Sequence, residues 1–248
     1  KLAEGNDCRV FPAFRHVLGR QLDRSATPPM VWGAAANGYA QGADGFAFTD
    51  PIWTPNGWPW TDTEYGTLRL LGNPEMLATA DKIYRARSET TTAVTKAENF
   101  EPGTVATLPV DLHKDEPVTV QIRISDELGR WHNEGMLDRI SLRVRITSIE
   151  PPLNKVRVEL NGKELPESIL QLNDLTYRLM KFGAVGPYGY IYDYRLTPDL
   201  FPKQGVNEIT VTLVERDPMV DPPFQLYDVD CVINYLVHRN FRRKPLDY

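Results

Sequence analysis

Apolar residues are spaced in two different ways along this chain, and the change falls near Ser88. Before it, short apolar runs alternate with stretches of helical character. Residues 7–14, DCRVFPAF, read as a short β-type run ended by Pro12. Residues 43–50, ADGFAFTD, read as a second strand, near-continuously apolar as in sheets buried on both faces. Between them, Thr27 stands before Pro28 and Pro29, which a first helical turn tolerates. The small apolar stretch 29–40 therefore predicts a helix, with Gly42 as its C-cap. Residues 62–71, DTEYGTLRLL, predict another helix. Asn73 is placed to N-cap a third over 75–86, with Met76, Leu77, Ala80 and Ile83/Tyr84 on one face. The order β, α, β, α is that of parallel-sheet units.

Residues 88–103, SETTTAVTKAENFEPG, are polar and threonine-rich and read as a linker between a segment 1–87 and a segment 104–248. Beyond them, apolar residues recur with period two. Strands are predicted at 104–111 and at 117–125, where Val118, Val120, Ile122 and Ile124 share a face. The strand 139–148 sets Ile140, Leu142, Val144 and Ile146 against Arg143 and Arg145. Residues 155–160 run into Asn161-Gly162, the strongest short hairpin signal. Further strands follow at 175–182, 189–197, 206–215 and 226–238, with no convincing helix among them. One apolar and one charged face predict antiparallel pairing into two stacked sheets, a β-sandwich of jelly-roll type.

With 248 residues, 42% hydrophobic and 25% charged, the chain can bury a sizeable core. A net charge of -5 argues against nucleic acid as a partner. The basic run Arg239, Arg242, Arg243 and Lys244 reads as a solvated tail. No apolar stretch approaches the ~20 residues of a membrane-crossing helix. The two cysteines, Cys8 and Cys231, read as buried small hydrophobes, and the four histidines are scattered. No metal-ligand spacing, GxSxG elbow, phosphate loop or CxxC pair is present, so neither a metal nor a cofactor is predicted.

The stretch between residues 50 and 61 carries the most suggestive chemistry. Trp53, Trp58 and Trp60 are interleaved with Pro51, Pro55 and Pro59. Indole offers a large apolar plane with a polar edge, suited to the C–H faces of sugars. The prolines restrict the loop, so less entropy is lost on binding. The same tryptophans would equally serve to pack on a neighbouring domain or subunit. A row of tyrosines, Tyr188, Tyr190, Tyr192 and Tyr194, shares one strand face and reads either as a saccharide platform or as an interface. Asp126, Glu127, Asp228 and Asp230 are either oxygen ligands for calcium or solvated surface.

GADGFAFTD (42–50) followed by LRLLGNPEMLATADKIYRAR (68–87) resembles the last βα unit of bacterial glycoside-hydrolase-like (β/α)8 barrel proteins. The matching residues are Gly42 to Phe48, then Leu71 to Pro74, Leu77, Asp81, Lys82 and Tyr84, with DCRVFPAF resembling the seventh barrel strand. The later strands resemble the accessory sandwich of such proteins, on Val158 to Gly162 and on Leu200 to Val211 with Gly205, Asn207 and Ile209. The resemblance implies an α+β multidomain chain: partial (β/α) barrel units in 1–87, then the antiparallel sandwich.

Barrel enzymes carry their sites in the loops after the strands. On the resemblance, the catalytic candidates are Asp50, at a strand end, and Glu64. The substrate-binding candidates are Arg9, Arg15, His16, Trp53, Trp58, Trp60 and Tyr65. Asp44, before the strand proper, reads as structural. Glycoside hydrolysis normally needs two carboxyl groups, and in such barrels the acid and nucleophile commonly sit on earlier strands. A whole barrel takes about 250 residues, so residues 1–87 cannot close one. The expectation is the C-terminal part of a longer carbohydrate-active polypeptide, or a chain completed by another polypeptide. Its expected ligand is an oligo- or polysaccharide and its expected location extracellular or periplasmic. The alternatives are a non-catalytic carbohydrate-binding module and a structural subunit.

Overall fold

The period-two alternation builds two packed antiparallel sheets. The computed structural model describes residues 8–14, 27–48, 68–86, 108–173 and 189–238. Strands β1 (Ala13–Phe14) and β2 (Ala47–Phe48) flank helix α1 (Pro28–Ala40), and helix α2 (Pro74–Ala78) precedes β3 (Lys82–Arg85). Then come β4 (Val110–Leu112), β5 (Pro117–Ile124), helix α3 (Leu128–Asn133), β6 (Leu137–Thr147), β7 (Lys155–Leu160), β8 (Lys163–Glu164) and β9 (Leu170–Asn173). The last three strands are β10 (Gly189–Arg195), β11 (Gly205–Glu215) and β12 (Phe224–Tyr235). One sheet has the order β3-β12-β6-β10-β9, with β4 also pairing β12; the other has the order β5-β11-β7-β8. Taken from β4 onward, this is the interleaved two-Greek-key order of a jelly roll.

The facing residues are those the alternation selects. Ile140, Leu142, Val144 and Ile146 of β6 meet Val120, Ile122 and Ile124 of β5 and Ile209, Val211 and Leu213 of β11 in one buried cluster. A bulge between Leu226 and Asp228 shifts the phase of β12. Its inward residues therefore pass from Phe224 and Leu226 to Val229, Cys231, Ile233 and Tyr235. The Asn161-Gly162 turn forms as read, with φ of 53° and 77° at the two residues, both in the left-handed region a tight hairpin needs. The stretch after residue 104 does hold a helix, α3, where none was expected.

Helix α1 starts and stops where its cap residues predict. Pro28 and Pro29 occupy its first turn. Gly42, at φ 88°, donates to the Tyr39 carbonyl, and Ala43 donates to that of Gly38. This crossed pair is a Schellman closure, which glycine accommodates without strain. Asn73 Oδ1 accepts from Met76 N at 3.0 Å and caps α2 as expected. Residues 68–71 are helical too, the described end of the helix read at 62–71.

The helix expected over 75–86 is corrected. It ends at Ala78, and residues 82–85 are instead a strand on the edge of β12, with Tyr84 opposite Cys231. Met76 is exposed, while Lys82, Ile83 and Tyr84 are buried. A sheet edge offers a row of unpaired backbone groups, and satisfying them outweighs a modest helical preference.

Helix α1 lies on β3 with backbone against backbone. A methyl group at Gly33 would stand 2.5 Å from the Ile83 carbonyl oxygen. Asn37 Nδ2 also donates to Arg123 O, and Tyr39 Oη to Leu71 O. Gly33→Ala is therefore expected to lower stability by about 1–3 kcal/mol, an overpacking penalty against rigid backbone. Urea denaturation of the purified variant measures it, and an unchanged midpoint would show that α1 does not dock there.

Candidate functional site

The two short parallel strands fix the geometry of the region that the sequence singles out. Ala13 pairs with Ala47 and Phe14 with Phe48, joined in the chain through α1. At their beginnings, Asp44 N donates to Val10 O at 2.9 Å and Asp44 Oδ2 accepts from Val10 N at 2.7 Å. Asp44 is thus a tie between the strand starts, the structural part read for it. Arg9 is exposed, beside Val10 at that same beginning. From the opposite edge the chain runs on past Phe14 to Arg15 and His16, and past Phe48 to Asp50. Arg15, His16, Asp50, Trp53, Trp58, Trp60, Glu64 and Tyr65 all lie outside the described residues.

The best-defined polar cluster among the described residues is one the sequence did not single out as a site. Alternation in β3 turns Lys82 and Tyr84 inward. Lys82, fully buried, places Nζ 3.0 Å from Asp126 Oδ1, 2.9 Å from Ala78 O and 3.1 Å from Ala80 O. Three acceptors match the three ammonium hydrogens. The Tyr235 ring lies 4.7 Å from the same nitrogen, and Tyr84 Oη meets Ser125 Oγ at 2.8 Å. Burial lowers the Lys82 pKa and raises that of Asp126, each against the pull of its partner. Burial likewise raises Tyr84 well above the phenol range. Asp81 accepts from Tyr235 N at 2.7 Å and from Asn234 Nδ2 at 3.2 Å. A cavity of about 240 Å³ opens alongside, lined by Tyr39, Leu77, Asp126, Arg130 and Trp131 among others. An ammonium with every hydrogen engaged is a clamp between α2, β3 and the loop before α3, not a poised nucleophile.

The outer face of β6 and β12 carries a second ionic set. Arg85 Nε and Nη2 hold Asp230 at 2.7 and 2.8 Å. Arg145 Nη1 reaches Asp228 Oδ2 at 2.7 Å, and Arg143 Nε lies 3.2 Å from Asp193. Three of the four acids weighed as calcium ligands are therefore corrected: Asp126 serves Lys82, and Asp228 and Asp230 serve arginines, while Glu127 is exposed surface beside Arg130. No cluster of metal-binding type occurs among the described residues. The tyrosine row is corrected as well. Tyr192 and Tyr194 point into the sandwich, each 3% exposed, so they form no exposed outer platform or interface, and both border a groove at the sandwich edge. Cys231 is buried as expected, but Cys8 is exposed; both are free thiols.

A visible signal for the missed clusters is sign alternation. Arg143 and Arg145 sit at period two on β6, and Asp228 and Asp230 do so on β12. Cross-strand pairing of opposite charge follows once the two strands are neighbours.

No protein-family model and no curated protein matches the chain. Among solved structures, it is similar to two crystal structures of BuGH86 in complex with neoagarooctaose, the wild type and a variant. Each has 12% identity and a TM-score of 0.33 over 63% of this chain. It is also similar to a beta-porphyranase of glycoside hydrolase family 86 from the human gut bacterium Bacteroides plebeius, at 11% identity and a TM-score of 0.33 over 62% of this chain. The chain spans 19% of the length of the first two and 21% of the third.

Proposed function

We propose that this chain is the C-terminal part of a carbohydrate-active, glycoside-hydrolase-like protein in which residues 51–60 line a saccharide cleft. One observation supports the reading above the others. Strands β1 and β2 run parallel and in register across α1, so both continue from one edge into the candidate segments. Barrel enzymes build their sites on that edge. Arg15, His16 and Asp50 follow the strand ends within two residues, and the tryptophans follow Asp50. On this reading the remaining barrel strands come from elsewhere in a longer polypeptide or from another chain, and the second catalytic carboxylate comes with them.

The test is titration calorimetry of the chain with neutral oligosaccharides, comparing the parent with Trp53→Ala and Trp58→Ala. Each variant is expected to bind about tenfold more weakly, equivalent to ~1.4 kcal/mol, with the unfolding midpoint unchanged. Equal affinity in parent and variants sinks the tryptophan-cleft reading.

A further inference from the structure

Among the described residues, the edge strands β9 and β8 lie at the same side of the two sheets. There a groove of about 690 Å³ runs between them. That size falls within the ~300–1,000 Å³ of small-molecule sites, whereas the cavity beside Lys82 falls below it. Its floor is formed by Tyr192, Tyr194, Leu165 and Leu170, drawn from both sheets. Its rim carries Lys155, Arg157, Glu164, Glu167 and Glu215. Tyr192 is 3% exposed, yet its hydroxyl makes no hydrogen bond among the described residues. A buried hydroxyl without a partner is costly, and here it belongs to a residue that lines a groove.

The composition selects the ligand. The rim has two cations and three anions, with Lys155 Nζ 3.9 Å from Glu167. A polyanion would meet Glu164, Glu167 and Glu215, and a polycation would meet Lys155 and Arg157, so a chain of either sign meets repulsion. Leucine and tyrosine surfaces suit apolar C–H faces, while carboxylates, cations and phenol hydroxyls both give and accept hydrogen bonds. A molecule offering both together, without charge, is a neutral sugar chain. We infer that this groove is a binding site for a neutral oligosaccharide, separate from the tryptophan loop. The inference stands whether or not the loop binds sugar, because it uses none of the loop's residues.

Titration calorimetry of the chain with neutral hexasaccharides of the gluco, xylo, manno and galacto series tests it. Tyr192→Phe removes only the hydroxyl, and Glu164→Ala removes an exposed carboxylate, so both variants should keep the fold. The expected result is a saturable event at the groove for at least one series, weakened about tenfold or more in the double variant and kept in a Trp53→Ala/Trp58→Ala variant, apart from any second event that the tryptophan substitutions weaken. No binding in any series overturns the groove site. So does binding that survives the groove variant and vanishes with the tryptophans, which leaves the loop reading alone standing. Loss in the groove variant with no effect of the tryptophans does the reverse. Saturable binding of an unstructured peptide in place of every sugar assigns the groove to a protein partner and overturns the saccharide site.

Discussion

Replacing Lys82 with methionine is expected to cost about 3–5 kcal/mol, because it strands Asp126 as a buried carboxylate without its counter-charge. Asp126 is only 5% exposed and Lys82 fully buried. The double variant Lys82→Met/Asp126→Leu should regain most of the loss, since a packed apolar pair removes both desolvation penalties. The pH dependence gives the sign of the effect. Burial already raises the Asp126 pKa, and Lys82 is the largest influence opposing it. Removing Lys82 therefore raises Asp126 further. Between the ordinary carboxylate value and that raised value, the folded state holds a proton that the unfolded state has released, so stability falls as pH rises. The deficit of Lys82→Met should accordingly shrink on acidification below the raised Asp126 pKa, with Tyr84, Tyr235 and Asp81 the other titratable groups nearby. Urea midpoints between pH 4 and 8 measure it. A deficit independent of pH, or a double variant no better than the single, would remove the clamp.

That clamp shows which features the sequence makes legible. The residues matching the barrel-protein resemblance, Asp81, Lys82 and Tyr84, fall in the stretch 75–86 that the sequence reads as a helix. They prove to be a strand-edge fastening onto the sandwich. Local spacing allowed a helix; the deciding partner was β12, far along the chain, and tertiary pairing overrode propensity. Period two correctly separated Ile140, Leu142, Val144 and Ile146 from Arg143 and Arg145. Yet periodicity says only which residues share a face, not what covers it, and Arg145 is buried against Asp228. The tyrosines failed in the same way: Tyr190, Tyr192 and Tyr194 do share a face, and it is the inner one, while Tyr188 lies outside the described residues. Residues 51–60 lie outside the described residues, and what the structure adds near them is the parallel pairing of Ala13–Phe14 with Ala47–Phe48.

Asn207 should be nearly as costly to replace as Lys82. It is fully buried at the start of β11, on the motif that resembles an accessory-sandwich strand. Its Oδ1 accepts from Lys203 N at 2.9 Å and from Asn161 Nδ2 at 2.8 Å. Its Nδ2 donates to Lys203 O at 2.8 Å and to Gly205 O at 3.2 Å. Asn161 in turn accepts from Glu208 N through its own side chain. The two motifs noticed separately in the sequence are thus one amide network that locks the hairpin turn to the loop before β11. At ~1 kcal/mol net per hydrogen bond, Asn207→Leu should lose about 3–4 kcal/mol. Asn207→Asp keeps the acceptor but sets a buried carboxylate against two carbonyl oxygens, so it should rescue little. Asn161→Gly preserves the turn's positive φ and should cost about 1–2 kcal/mol, for the two side-chain bonds it loses. Because both single variants break the same Asn161–Asn207 bond, the double variant should fall short of the sum of the two losses. Strict additivity in urea denaturation would mean that the motifs are neighbours without being coupled.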